Sequence, residues 1–180
     1  MRLRTCAVWA VAIAMGTACH ASTFFDQTVR VTHDAFDIGT VISGPFDSVV
    51  TAGIEVPSVL GFYSVDVSDA NILLNFTQIG TGGTFSGGTF NGFHLFDLNG
   101  TIPTLLSVTI LSTNVSGLDA SRISFDANNV FVNFQGLFVD LASRVSLDVT
   151  AVPEPATLGL MGIALAVIGF RRRKLGPRPS

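Results

Sequence analysis

From Phe24 to Val149 apolar and polar residues alternate with a period of two, the spacing that sends successive side chains to opposite faces of a strand. In "RVSLDV" (144–149), Val145, Leu147 and Val149 share one face, with Arg144, Ser146 and Asp148 on the other. In "FNGFHLFDL" (90–98), Phe90, His94, Phe96 and Leu98 fall together, opposite Asn91, Phe93, Leu95 and Asp97. "YSVDV" (63–67), "NILLNF" (71–76), "LLSVTIL" (105–111) and "VFVNF" (130–134) repeat the theme with the β-branched and aromatic residues that suit a pleated surface. Turn chemistry separates these runs at "ISGP" (42–45), "GTGG" (80–83), "SGG" (86–88), "LNG" (98–100), "VSGLD" (115–119) and "DANN" (126–129). "ISFDANNVFV" (123–132) therefore predicts a hairpin.

Short strands at this spacing predict an all-β, antiparallel β-sandwich of roughly seven to ten strands, jelly-roll or immunoglobulin-like. The glycine-rich "GTGGTFSGGTFNG" (80–92) reads as a loop or irregular edge, with Phe85 and Phe90 docking into the core. Helical periodicity is confined to the two ends.

The ends also carry most of the positive charge. Arg2 and Arg4 open the chain, and Arg171, Arg172, Arg173, Lys174 and Arg178 close it. Between residues 22 and 150 three bases, Arg30, Arg122 and Arg144, stand against twelve acids, a net charge of −9. A segment that acidic repels phosphate backbones, so nucleic acid is excluded as a partner.

Residues 1–21, "MRLRTCAVWAVAIAMGTACHA", have the three parts of a secretory signal peptide: a basic start, an apolar stretch of about ten residues from Cys6 to Gly16, and small residues ahead of a cut after Ala21. Both cysteines, Cys6 and Cys19, lie inside it. The mature chain is then free of cysteine, which excludes a disulfide, a thiol nucleophile and a cysteine metal site.

At the other end, "AVPEPATLGLMGIALAVIGFRRRK" (151–174) sets a Pro-Glu-Pro triplet before a thirteen-residue apolar run, Leu158 to Phe170, and a basic cluster. As a helix that run spans roughly 20 Å, short of a hydrocarbon core of about 30 Å. Snorkelling by Arg171–Lys174 makes up part of the difference, and the positive-inside rule keeps that cluster in the cytoplasm with residues 22–150 outside. Pro153 and Pro155 stop the helix from starting earlier and hold an extended segment just outside the membrane. In order and position this end resembles the PEP-CTERM sorting signal of Gram-negative bacteria. The resemblance implies that Pro153, Glu154 and Pro155 are a recognition motif for an exosortase, a membrane transpeptidase-like enzyme. It also implies cleavage near the motif and release or transfer to the cell surface, often alongside exopolysaccharide. "LDASRISFDANNVFVNFQGL" (118–137) is similar to segments in ectodomains of other PEP-CTERM proteins.

Candidate chemistry in the middle is sparse. With no lysine before Lys174, the glycine-rich stretch cannot serve as a P-loop. HExxH and GxSxG are absent, and only His33 and His94 remain in the mature chain, too few for a three-histidine zinc site. His33 and Asp34 are adjacent and face opposite ways on a strand, which defeats a catalytic triad. His94, within an aromatic stripe, is expected at a rim with one nitrogen hydrogen-bonded. Asp66, Asp69 and Asp97 are the aspartates that could form a carboxylate pair for glycoside cleavage or bind calcium; as residues favoured in turns they have a simpler reading.

The expected organisation is a signal helix (1–21), an extracytoplasmic β-sandwich domain (22–150) and a sorting signal with a membrane helix (151–180). The expected role is a non-enzymatic surface or matrix protein, first anchored in the inner membrane. Its expected partners are an exosortase and extracellular polysaccharide. No cofactor is named, calcium being the one cation the residue types admit. The competing readings are a carbohydrate-binding module, which needs exposed aromatics on a sheet face, and a glycoside hydrolase, which needs two carboxylates in a cleft.

Overall fold

The structure is a computed structural model that describes residues 23–152. The expected signal peptide, and the sorting motif from Pro153 onward with its expected membrane helix, lie outside the described residues. Within 23–152 the chain is all-β and antiparallel, with one 3₁₀ turn at Ala120–Arg122.

Ten strands form two five-stranded sheets. The first contains β1 (Thr28–Phe36), β2 (Val41–Val49), β7 (Phe90–Asp97), β9 (Ile123–Phe125) and β10 (Asn129–Asn133), in the order β2-β1-β7-β10-β9. The second contains β3 (Ile54–Val59), β4 (Tyr63–Val67), β5 (Asn71–Asn75), β8 (Leu105–Thr113) and β12 (Arg144–Ala151), in the order β3-β4-β5-β12-β8. β6 (Gly83–Thr84) and β11 (Phe138–Val139) make a small ribbon between them in sequence. Each sheet pairs strands distant in sequence, β1-β7-β10 at the centre of one and β5-β12-β8 at one side of the other.

The alternation explains the packing. Val29 and Val31 of β1, Phe93 and Leu95 of β7, and Val130 and Val132 of β10 face Val65 and Val67 of β4, Ile72 and Leu74 of β5, and Val145, Leu147 and Val149 of β12 in one hydrophobic cluster. At one end Tyr63, Phe76, Phe85 and Phe134 interlock, with ring centroids 5.0 to 6.5 Å apart in mostly tilted and edge-on pairs, the arrangements that aromatic quadrupoles favour.

Three expectations need correction. "ISGP" is not a turn: β2 runs straight through Gly44 and Pro45. β2 is an edge strand, where a missing N–H goes unneeded, and it takes up the irregularity as bulges between Val41 and Phe46 opposite Val31 to Asp34 of β1. β3, with Pro57, is an edge strand for the same reason. Phe85 docks in the core as expected, but Phe90 is buried on the outer face of its sheet, edge-on to Phe131. Finally, β12 continues to Ala151, paired with Leu105, and the Val152 amide donates to the Thr104 carbonyl. The paired backbone therefore runs past residue 150, as far as Val152 among the described residues. The predicted hairpin is present, with Val130 opposite Phe125 and the Asp126 amide bonded to the Asn129 carbonyl.

Strand directions define two poles. At the terminal pole the chain enters at Thr23 and leaves at Val152, beside the start of β8 and the end of β7. The β1–β2, β3–β4, β5–β6 and β10–β12 connections gather at the opposite, distal pole.

Candidate functional site

Pro153, Glu154, Pro155 and the basic cluster Arg171, Arg172, Arg173 and Lys174 lie outside the described residues. What the fold contributes to that site is its approach. β12 is held on both sides, by β5 and by β8, and stays hydrogen-bonded to its last residue. With Val152 also tied to Thr104, one residue or less separates the folded domain from the Pro-Glu-Pro triplet. The amide of Thr23 donates to Asp69 Oδ1 at 2.8 Å, so both ends of the described segment are fixed at the same pole.

His33 and Asp34 do face opposite ways. His33, fully buried, points from β1 into the core. Its Nδ1 lies 2.9 Å from the Tyr63 hydroxyl and its Nε2 2.8 Å from Asn91 Oδ1, while Phe85 stacks on the ring. Asn91 Nδ2 donates to the Ser86 carbonyl, which leaves its Oδ1 as the acceptor. This geometry fits a neutral His33 that donates from Nε2 and accepts a hydrogen bond from the Tyr63 hydroxyl at Nδ1. Burial pushes the His33 pKa down and that of Tyr63 well above its ordinary value, so both groups stay uncharged. The network joins β4 of one sheet to β1 and β7 of the other and leaves neither His33 ring nitrogen free to act as a general base.

This makes an acid-lability prediction. A histidine whose folded pKa is depressed binds fewer protons than the unfolded chain below the ordinary value of 6.5. Stability is thus complete above that pH and falls as pH drops from 6.5 towards the folded pKa. Ring resonances of His33 that remain those of the neutral Nε2–H tautomer just below pH 6.5, where a free histidine is already mostly protonated, with a urea midpoint that falls over the same range, are expected. A normal imidazolium titration would contradict the assignment.

Asp34, on the outer face, accepts from the Thr32 hydroxyl and the Gly39 amide, and its Oδ2 lies 3.4 Å from His94 Nδ1. His94 Nε2 lies 3.1 Å from Asn129 Oδ1, so both ring nitrogens have partners rather than the one expected. The ring lies between Phe131 (4.2 Å) and Phe96 (5.0 Å), and Arg30 covers Phe96 at 5.6 Å. These rings pack against one another on the outer face of the sheet.

The three candidate aspartates are not brought to one place. Asp97 caps the turn after β7, accepting from the amides of Asn99, Gly100 and Ile102. Asp69 clamps Thr23, and Asp66 lies on β4. Burial first, and Glu55 second, raise the Asp66 pKa. Glu55 is the carboxylate that the sequence left unnoticed: it sits on β3 across from β4 and accepts from the Thr51 and Val67 amides. Among the described residues no three His, Cys, Asp or Glu side chains come together as a metal-binding group. A cleft of about 150 Å³ at the distal pole is lined by Phe62, Ile79, Gly82, Gly83, Thr84 and Phe85, without an ionisable side chain.

Residues 151–174 match the family described as the PEP-CTERM protein-sorting motif. No curated protein and no solved structure matches the chain. The chain thus carries a PEP-CTERM sorting motif, which implies an exported protein, membrane-anchored as a precursor and processed by an exosortase. The match begins at Ala151, the last residue of β12. Among the described residues no helix is long and apolar enough to cross a membrane.

Proposed function

We propose that this chain is a structural surface or matrix protein, whose β domain is first anchored in the inner membrane by the helix of its sorting signal. An exosortase then transfers or releases it at the cell surface. We infer that the domain works there without catalysis or cofactor, in association with exopolysaccharide in a biofilm. The observation that carries the reading is the junction at residue 151, where the sorting motif starts as the last strand ends. A domain finished at that point can be cut away from its anchor without losing a strand.

The non-catalytic part is supported by where the ionisable groups are spent. Asp97 and Asp126 organise turns, Asp69 holds the N-terminal segment, and His33 is locked in the core. The cleft carries no acid or base. Asp66 beside Glu55 is the pair that a hydrolase reading would have to use, so turnover of a polysaccharide lost on Asp66→Asn would overturn this part.

The sorting part is tested by the double variant Pro153→Ala/Pro155→Ala. Its full-length chain should accumulate in the inner-membrane fraction while the wild type is shortened and leaves. A shortened variant chain released at the wild-type level would refute it.

A further inference from the structure

We propose that the distal pole is a self-association surface at which a second copy of this chain docks, the Phe36 ring of each copy entering the cleft lined by Phe62, Ile79 and Phe85 of the other. This is independent of the route by which the protein is exported.

The distal pole exposes seven large apolar side chains. Phe36 is 58% exposed and Ile38 54%, and Val41, Ile42, Phe62, Phe138 and Leu141 are exposed there as well. These positions adjoin one another. A Cβ on Gly87 would lie 3.3 Å from the Phe36 ring, Phe62 and Phe85 meet at 6.1 Å, and Gly82 at the cleft abuts the Phe138 ring. The surface therefore runs from the β1–β2 turn across the glycine-rich loop to β11, with the cleft in its middle. Contiguous exposed apolar surface of this kind marks an interaction site.

The knob is fixed in place. Phe36 has φ of +74°, a left-handed conformation uncommon for a side chain of its size. The Thr89 amide donates a hydrogen bond to the Phe36 carbonyl, and Thr89 Oγ1 donates one to Asp37 Oδ1. Gly88 lies so close that a Cβ there would overlap the Phe36 backbone. The complementary part is the cleft, whose volume of about 150 Å³ is that of an apolar cavity able to take a benzene-sized ring. Knob and cleft sit on one pole of one molecule, so a two-fold axis satisfies both at once.

Two observations favour a second copy as the occupant. Both described ends, Thr23 and Val152, lie at the terminal pole, so neither flanking segment starts near the cleft. Charge is also divided unequally. Around the distal pole Asp37, Asp119 and Asp140 are nearly balanced by Arg122 and Arg144, and Asp34 is buried against His94. The other eight acids share the terminal half with Arg30 alone. Like copies repel through their terminal halves and can approach through their distal poles.

The test co-expresses two full-length chains with different epitope tags, extracts them in mild detergent and recovers one tag. The second tag is expected to co-purify. Phe36→Asn in both copies, a residue that tolerates the left-handed backbone, should lower that recovery about tenfold or more. Leu106→Asn, at an exposed site of the terminal pole, should leave it unchanged. Equal thermal melting of the variants would show that folding is intact. A bis-maleimide should also join a Phe36→Cys copy to a Phe62→Cys copy and not two Phe36→Cys copies. No co-purification of the wild type, or co-purification indifferent to Phe36→Asn, would overturn the proposal.

Discussion

Gly92→Ala is expected to cost about 3 kcal/mol or more of folding stability, in the upper range for overpacking a tight site. Gly92 lies in β7, the middle strand of its sheet, opposite Asn133 of β10. A Cβ there would stand 1.9 Å from the Val132 carbonyl oxygen and 3.0 Å from its carbonyl carbon. Both atoms are backbone, so no rotamer change relieves the overlap. The β7–β10 pair must move apart, and that pair carries the Phe93, Leu95, Val130 and Val132 side of the core. Since domains of this size hold about 5–15 kcal/mol in total, the loss should appear as a large drop in urea midpoint. A change under about 0.5 kcal/mol, the range of an ordinary surface substitution, would show that the close approach is wrong.

Phe134→Ala should cost about 3–5 kcal/mol, the range for deleting a buried phenylalanine ring. Phe134 is fully buried, 5.4 Å from Phe76 and 5.6 Å from Phe85 between ring centroids. It is pinned at its amide by the Asn91 carbonyl and so cannot slide to fill the space. The void would lie beside Phe85, which stacks on His33 and walls the distal cleft. Thermal or urea unfolding gives the loss directly, and Phe134→Leu should recover part of it. Wild-type stability in the alanine variant would contradict the interlocked cluster.

The strands readable from alternation were those whose inward positions are all apolar: Val145, Leu147 and Val149 in β12, or Ile72 and Leu74 in β5. β1 carries the same period, but its third inward position is His33, a polar residue made tolerable by Tyr63 and Asn91. Those partners are 30 and 58 residues away in sequence, so no local pattern announces them. The available signal was that His33 continues the spacing of Val29 and Val31. β2 was concealed by Gly44 and Pro45, which mark a turn unless the strand is known to be an edge. Sheet order was likewise illegible, because β1–β7 and β5–β12 pairing depends on core complementarity across long connections. The sorting motif was legible because its information is linear: a triplet, an apolar run and a basic cluster in a fixed order.

The central claim is that a completed β domain is handed over at a junction flush with its last strand. The most direct measurement is the intact mass of the chain recovered outside the inner membrane. That mass should correspond to a chain that starts at Ser22, retains β12 through Ala151 and ends near the Pro-Glu-Pro triplet, without Leu158–Phe170 or Arg171–Lys174. A surface or released chain that still carries the basic cluster, or one cut within β12, would contradict the account.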